Sequence, residues 1–239
     1  GRIYLSRSRD RTTWTTPVPV TVTDQVVTGG NVREPSLSVH AGRMFMTWTE
    51  NHATVQRAFF STTTDGDTWT PPVQIPVGDT GWWYTTSPIL YADGWYLAYA
   101  YGRPATGGSG KEEIRLVRSA DLVSWSAPIT VASHPDLGFT ESHIFRTGPG
   151  KLTAMLRVDN APGDFWTYAA TSTNGGVTWS EAVRSFPGDG RPRVDQIDGG
   201  YFVHFRDNET LTRAPSRGKA AKVLAISSDG LPLELTNLP

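Results

Sequence analysis

The sequence predicts an all-β chain assembled from a repeated unit of about 55 residues. Three observations carry that prediction. The composition favours turns and pleats, with 24 Gly, 17 Pro and nine Trp among 239 residues and many Thr and Val. No stretch of about 11 residues or more holds apolar side chains at the i, i+3, i+4, i+7 spacing of an amphipathic helix. Finally, one short phrase returns at a nearly fixed interval.

That phrase is Ser/Thr-x-Asp-x-x-x-Trp. It occurs at Ser8–Trp14, Thr63–Trp69 and Ser119–Trp125. A fourth copy, Ser172–Trp179, has Asn174 for Asp and one extra residue; a fifth, Ser227–Leu233, ends in Leu. The acidic or amide positions 10, 65, 121, 174 and 229 are separated by 55, 56, 53 and 55 residues. The phrase suits a hairpin corner: Asp or Asn accepts backbone N–H bonds, Gly supplies positive φ where present, and Trp packs between neighbouring sheets.

The elements follow in order around that corner. A strand precedes four copies, at Val55–Ser61, Ile114–Arg118, Thr167–Thr171 and Lys222–Ile226. A short Pro-containing strand follows, as at Thr70–Ile75 and Ser126–Val131. Upstream of four copies lies an inner hairpin: Pro35–Val39 with Arg43–Thr49, Pro88–Tyr91 with Trp95–Tyr101, Ser142–Arg146 with Lys151–Arg157, and Pro192–Ile197 with Tyr201–Arg206. Four strands in about 55 residues are one blade of a β-propeller. The expected architecture is one domain over residues 1–239, with units at about 33–79, 85–133, 140–187 and 191–239 and a half blade at 1–24. Gly107–Gly110 and Ala214–Gly218 are loops inside units. The half blade lacks inner strands, which are expected upstream of Gly1 in a longer parent chain or from another subunit. Five blades are favoured over six.

Charge and composition exclude other classes. With 22 Lys+Arg against 23 Asp+Glu there is no basic surplus for nucleic acid. No apolar run approaches the roughly 20 residues of a membrane helix. There is no Cys, hence no disulfide framework or thiolate metal site, and the five His show no metal spacing. Gly107–Lys111 lacks the leading Gly and the following Ser/Thr of a phosphate loop. Asn208-Glu209-Thr210 has the form of a glycosylation sequon. No cofactor is expected.

In a propeller the corner turns lie on one face, and the links into each inner strand lie on the other with the loops between strands two and three. Site residues are therefore expected among Arg33, Glu34, Trp82, Trp83, Tyr84, Phe139, Glu141, Arg191 and Arg193 at inner-strand starts. Strand-two ends add Glu50, Tyr101, Arg103, Arg157, Asp159 and Arg206. Arginines suit carboxylates and aromatic rings suit sugar faces. Trp82-Trp83-Tyr84 directly precedes an inner strand and is expected to offer a ring to the mouth; Phe165, Trp166 and Tyr168 are candidates for a second wall.

The corner phrases resemble the Asp-box, or bacterial neuraminidase repeat, and the chain resembles the sialidase-like propellers along nearly its whole length. The resemblance implies a glycan ligand, an acidic sugar held by arginines, and an exo-glycosidase in which a Glu activates a nucleophile. Carried over residue by residue, it implies Glu141 as the catalytic Glu and Arg157, 16 residues on, as one substrate-binding arginine, with Arg191 or Arg193 as another. Arg206, Glu34 and the Trp82–Tyr84 platform are the further candidate substrate contacts. The family's Arg-Ile-Pro arginine, acid/base Asp and nucleophilic Tyr have no counterparts. Ser119–Trp125 also resembles five-bladed arabinanase, xylosidase and fructosidase hydrolases, which place a carboxylate at each of three inner strands. Glu34 and Glu141 then form the carboxylate pair, with Ser87 at the third place. The alternative to an enzyme is a non-catalytic carbohydrate-binding module of an adhesin or virion tail protein. An extracellular, cell-surface or virion-associated location goes with either reading.

Overall fold

The computed structural model describes the chain except residues 25, 27, 28, 52–55, 79, 80, 106–109, 160–165, 189, 198, 199, 207–220, 227–231 and 237–239. At 197, 200, 206, 221–226 and 232–236 it describes the backbone alone. The fifth corner phrase, the sequon, Phe165 and the Arg206 side chain lie outside the described residues.

Nineteen strands and one short 3-10 turn make up the described regular structure. β1 (Tyr4–Leu5) and β2 (Val18–Pro19) form the outer pair of the half unit. The first full sheet is β3 (Asn31–His40), β4 (Arg43–Asn51), β5 (Gln56–Thr63) and β6 (Val73–Gln74). The second is β7 (Trp82–Tyr84), β8 (Leu90–Ala92), β9 (Trp95–Arg103), β10 (Glu113–Ser119) and β11 (Ile129–Ala132). The third is β12 (Gly138–Gly148), β13 (Lys151–Asp159), β14 (Trp166–Ser172) and β15 (Val183–Pro187). The fourth is β16 (Gly190–Ile197), β17 (Gly200–Arg206), β18 (Ala221–Ile226) and β19 (Pro232–Thr236). Every sheet is an antiparallel meander, and one parallel bridge, Gln56 to Trp82, links the first two.

The core lies between sheets. Phe45, Phe60 and Ile75 of the first meet Trp83, Ile89 and Val117 of the second. Leu97, Ile114 and Leu116 meet Phe139, Ile144 and Leu152. Phe145, Met155 and Phe186 meet Val194, Val203 and Phe205. A smaller cluster joins Ile3 and Val20 of the half unit to Met46, Trp48 and Phe59. β4, β5, β9 and β13 bury residues on both faces between neighbouring sheets, which is why burial along them does not alternate strictly.

The corner turns are built as their residue types require. Asp10 Oδ1 accepts the N–H groups of Thr12 and Thr13 at 2.9 and 2.7 Å. Asp65 does the same for Asp67 and Thr68, both at 2.8 Å, and Asp121 for Val123 and Ser124 at 2.8 and 2.7 Å. Asn174, with one extra glycine in its turn, reaches Val177 and Thr178 at 3.1 and 2.9 Å. These backbone donors hold the three Asp carboxyls below the usual carboxylate range. A depressed folded value means that the stability these groups contribute is present above about pH 4 and is lost as pH falls below it. Asp65→Asn keeps the acceptor and removes the titration. Its urea midpoint is expected to fall less than that of the wild type between about pH 6 and pH 2.5, measured by fluorescence.

The inner strands depart from the sequence expectation. They begin earlier than Pro35, Ser142 and Pro192, at Asn31, Gly138 and Gly190. Trp82–Tyr84 does not precede its inner strand but is the first part of it, pairing with Arg103, Gly102 and Tyr101 of β9. The cause is a two-for-one bulge. Arg33 faces Thr49 and Ser36 faces Thr47, so Glu34 and Pro35 stand opposite one residue. Glu141 and Ser142 stand likewise opposite Leu156, and Arg191 and Pro192 opposite Phe205. In the second sheet five residues, Thr85–Ile89, stand opposite Ala98–Ala100 and split the strand.

Candidate functional site

The bulges aim side chains at one place. An extra residue breaks the pleat alternation, bends the strand and turns its side chain off the sheet face. Glu34 and Arg191 take positive φ, 57° and 31°, and each precedes a proline, which has no N–H to lose from the ladder. The side chains at equivalent places in three sheets then meet. Arg191 Nη2 lies 2.7 Å from Glu34 Oε2, and its Nη1 lies 3.9 Å from Glu141 Oε1. Arg157 of β13, paired with Thr140 just before the bulge, donates to Glu141 Oε2 and lies 3.4 Å from Asp159. A chain of alternating charge thus runs Glu34, Arg191, Glu141, Arg157, Asp159, all half-buried.

The second sheet supplies an aromatic wall beside this chain. Tyr84 and Tyr101 face each other across β7 and β9 and stack at 5.5 Å with 13° between planes. Trp82 meets both rings edge-on, and the Arg103 guanidinium lies 5.8 Å from its centroid. Asn51 donates to the Tyr84 hydroxyl at 2.6 Å. Burial raises the Tyr101 pKa, and the Glu141 charge beside it raises it further. Burial also raises Tyr84. Both phenols therefore remain protonated donors near neutral pH. Gly102 permits the wall: a Cβ there would overlap the Trp82 carbonyl.

Other candidates are placed elsewhere. Trp83 is buried in the core between the first two sheets, with Arg115 4.9 Å from its ring. Of the three consecutive aromatics it is therefore the structural one, because pleat alternation sends it opposite Trp82 and Tyr84. Arg193 crosses the centre of the molecule, donating to Thr86 O, to Ser87 Oγ at 3.0 Å and to Ser142 O at 3.3 Å. Its guanidinium ties the fourth sheet to the second and third and does not join the Glu141 cluster. Glu50 is buried and caps the Val26 N–H at 2.8 Å. Phe139 is core, Arg33 is exposed, and Arg103 pairs with Glu112 at 2.6 Å. Trp166 and Tyr168 sit on β14 against the core between the second and third sheets. Among the described residues no group of three or more His, Asp or Glu side chains could hold a metal ion.

No protein-family model matches the chain, and no curated protein matches it. Solved structures do. One of unknown function from Dyadobacter fermentans superposes with a TM-score of 0.75 at 15% identity, over 98% of this chain and 72% of that one. The catalytic domain of a Coprinopsis cinerea GH62 α-L-arabinofuranosidase gives 0.58 at 14% identity, over 87% and 68%. A GH43 β-1,3-galactosidase solved with galactodeoxynojirimycin gives 0.62 at 13% identity, over 87% and 76%. The fold is that of the β-propeller glycoside hydrolases. At these identities the likeness concerns the fold, and the propeller's chemistry has to be argued from its own side chains.

Proposed function

We propose that this propeller is a glycoside hydrolase that removes a terminal neutral sugar, of arabinofuranosyl or galactosyl type, with Glu34 and Glu141 as its carboxylate pair. The observation that carries the reading is the meeting of Glu34, Arg191 and Glu141 from equivalent bulges in three inner strands. Strained backbone and bulges recur beside active sites. Both Glu141 oxygens face guanidinium groups, which donate and never accept. That carboxylate is thereby suited to act as base or nucleophile. Glu34, with one oxygen on Arg191, is suited to donate a proton to the leaving oxygen. Their separation on a bound sugar decides the outcome: about 5–5.5 Å gives retention and about 6.5–9.5 Å gives inversion. Tyr101 and Tyr84 add neutral hydroxyl donors beside the pair, and Trp82 offers an apolar surface to a sugar face.

The sugar class follows from the arginines and from the neighbours. Arg157 is occupied by Glu141 and Asp159, Arg191 by Glu34 and Glu141, and Arg193 by backbone carbonyls. An acidic sugar would have to compete with the protein's own carboxylates for each of the first two, so the sialidase-type reading has less support. The arabinofuranosidase and galactosidase neighbours support the neutral one. The test is a panel of 4-nitrophenyl glycosides. Turnover of an arabinofuranoside or galactoside is expected, with none of a sialoside. A panel without turnover would overturn the hydrolase and leave a carbohydrate-binding module.

A further inference from the structure

The bulges that carry Glu34, Glu141 and Arg191 leave those side chains without a fixed bearing. Residues inside a bulge lack ladder partners, so the ladder does not set the angle at which they leave the strand. Glu34 and Arg191 also hold positive φ, which surrounding structure has to enforce. Bonds outside the ladders must therefore fix the three bulges relative to one another.

One hydrogen-bond network does this, and its members flank every bulge. Ser36, two residues after Glu34, donates through Oγ to Thr86 O at 3.0 Å. Arg193, two residues after Arg191, donates to the same carbonyl through Nη2. Its Nη1 donates to Ser87 Oγ at 3.0 Å and to Ser142 O at 3.3 Å. Ser87 Oγ donates in turn to Ser142 O at 2.9 Å, and Ser142 Oγ to Thr140 O at 2.6 Å, so both chain neighbours of Glu141 are held. Ser87 stands in the middle of the network. It lies in the break of the second sheet, Thr85–Ile89, and its own carbonyl accepts from Thr47 at 2.8 Å and from Thr85 at 3.1 Å. Ser87 and Ser142 are each 2% exposed, so no water substitutes for these bonds. A hydroxyl can accept from the guanidinium and donate to the Ser142 carbonyl at once; an apolar side chain can do neither.

We infer that Ser87 is a positioning residue for the Glu34–Glu141 pair: with Arg193 and Ser36 it ties the three bulges together and sets the separation of the two carboxylates, a role that rests on the reading of that pair as the catalytic one. The separation is what the chemistry depends on, since it decides between retention and inversion. A misplacement of about 1 Å, even from a change away from the reacting atoms, can cost about a hundredfold in rate. Ser38 supplies the contrast. It makes the same kind of bond between the same two sheets, Oγ to Ile89 O at 2.7 Å, but lies two residues farther from the Glu34 bulge, and that bond joins no member of the network.

Ser87→Ala, Ser36→Ala and Ser38→Ala are compared with the wild type by steady-state kinetics and by crystallography. In Ser87→Ala and Ser36→Ala, kcat is expected to fall by about tenfold or more while KM stays within about twofold. The carboxyl carbons of Glu34 and Glu141 are expected to shift relative to each other by about 0.5 Å or more in both variants. Ser38→Ala is expected to keep both the rate and the separation. Ser36→Ala carries the test should Ser87→Ala not fold. Equal kinetic effects in all three variants would mean a structural role alone and overturn the inference, as would an unchanged separation in Ser87→Ala and Ser36→Ala. A wild type that turns over no glycoside counts against the hydrolase reading, and the separations then decide the positioning role. Turnover by the wild type with the same kcat in Ser87→Ala and Ser36→Ala overturns the positioning role and leaves the hydrolase standing.

Discussion

Glu141→Gln is expected to lower kcat for the glycoside turned over by the wild type by about 10²–10⁴-fold, the range for loss of one acid/base group. Glutamine fills the same volume and accepts through one oxygen, so Arg157 keeps a partner and the fold is retained. Glu34→Gln is expected to have an effect of similar size, with a distinguishing feature. If Glu34 protonates the leaving oxygen, its loss matters less for a glycoside with an acidic leaving group. The ratio of 4-nitrophenyl to unactivated substrate should therefore rise in Glu34→Gln and stay unchanged in Glu141→Gln. Steady-state kinetics on both substrates check this, and equal ratios in the two variants would contradict the assigned roles.

Arg193→Met is expected to destabilise the fold by about 2–4 kcal/mol, because it removes the charged hydrogen bonds to Thr86 O, Ser87 Oγ and Ser142 O that tie three sheets together, and leaves the two carbonyls only the Ser36 and Ser87 hydroxyls. Burial lowers the Arg193 pKa, yet an arginine remains charged near neutral pH. It therefore carries a cation into the centre of the molecule, where three inner strands converge. In urea the midpoint is expected to fall by roughly 1 M or more with m unchanged. Methionine keeps most of the stem volume, so the effect reports the guanidinium. A midpoint within about 0.2 M of the wild type would mean that Arg193 does not hold the sheets together.

Much of this architecture was legible in the sequence for a physical reason. The corner phrase is a local device whose Asp or Asn satisfies backbone donors two to four residues away, so it writes itself into adjacent positions. Strands β4, β9 and β13 were legible because each is buried on both faces with largely apolar residues, and β17 because Tyr201, Val203 and Phe205 alternate into the core. The bulges were harder. A bulge is a register event, visible only when two strands are paired, and the sequence carries it as no more than Glu34-Pro35 and Arg191-Pro192 ahead of a strand of mixed polar and apolar residues. Glu141-Ser142 has not even that signal. Missing the bulges placed Trp82–Tyr84 outside its strand and put Trp83 and Arg193 among the ligand contacts. The pleat sends Trp83 into the core, and two residues past the bulge Arg193 turns toward the centre while Arg191 stays at the mouth.

The site was partly legible. Glu34, Glu141, Arg157 and Arg191 were selected as inner-hairpin residues on one face, and the structure brings these four together. Their pairing with one another was not legible, since it depends on which residues of three different sheets come together. With that pairing the arginines are engaged by the protein's own carboxylates, which favours a carboxylate pair oriented by them over an acidic sugar held by open arginines.

The central claim is that this carboxylate pair cleaves a glycosidic bond. An NMR time course tests it most directly, following anomeric proton signals of an oligosaccharide with a terminal neutral sugar in the presence of wild type and of Glu141→Gln. Free monosaccharide is expected to appear with the wild type in one anomeric form before mutarotation, and at a rate at least about a hundredfold lower with the variant. Equal rates for the two proteins, or an unchanged substrate spectrum with both, would contradict it.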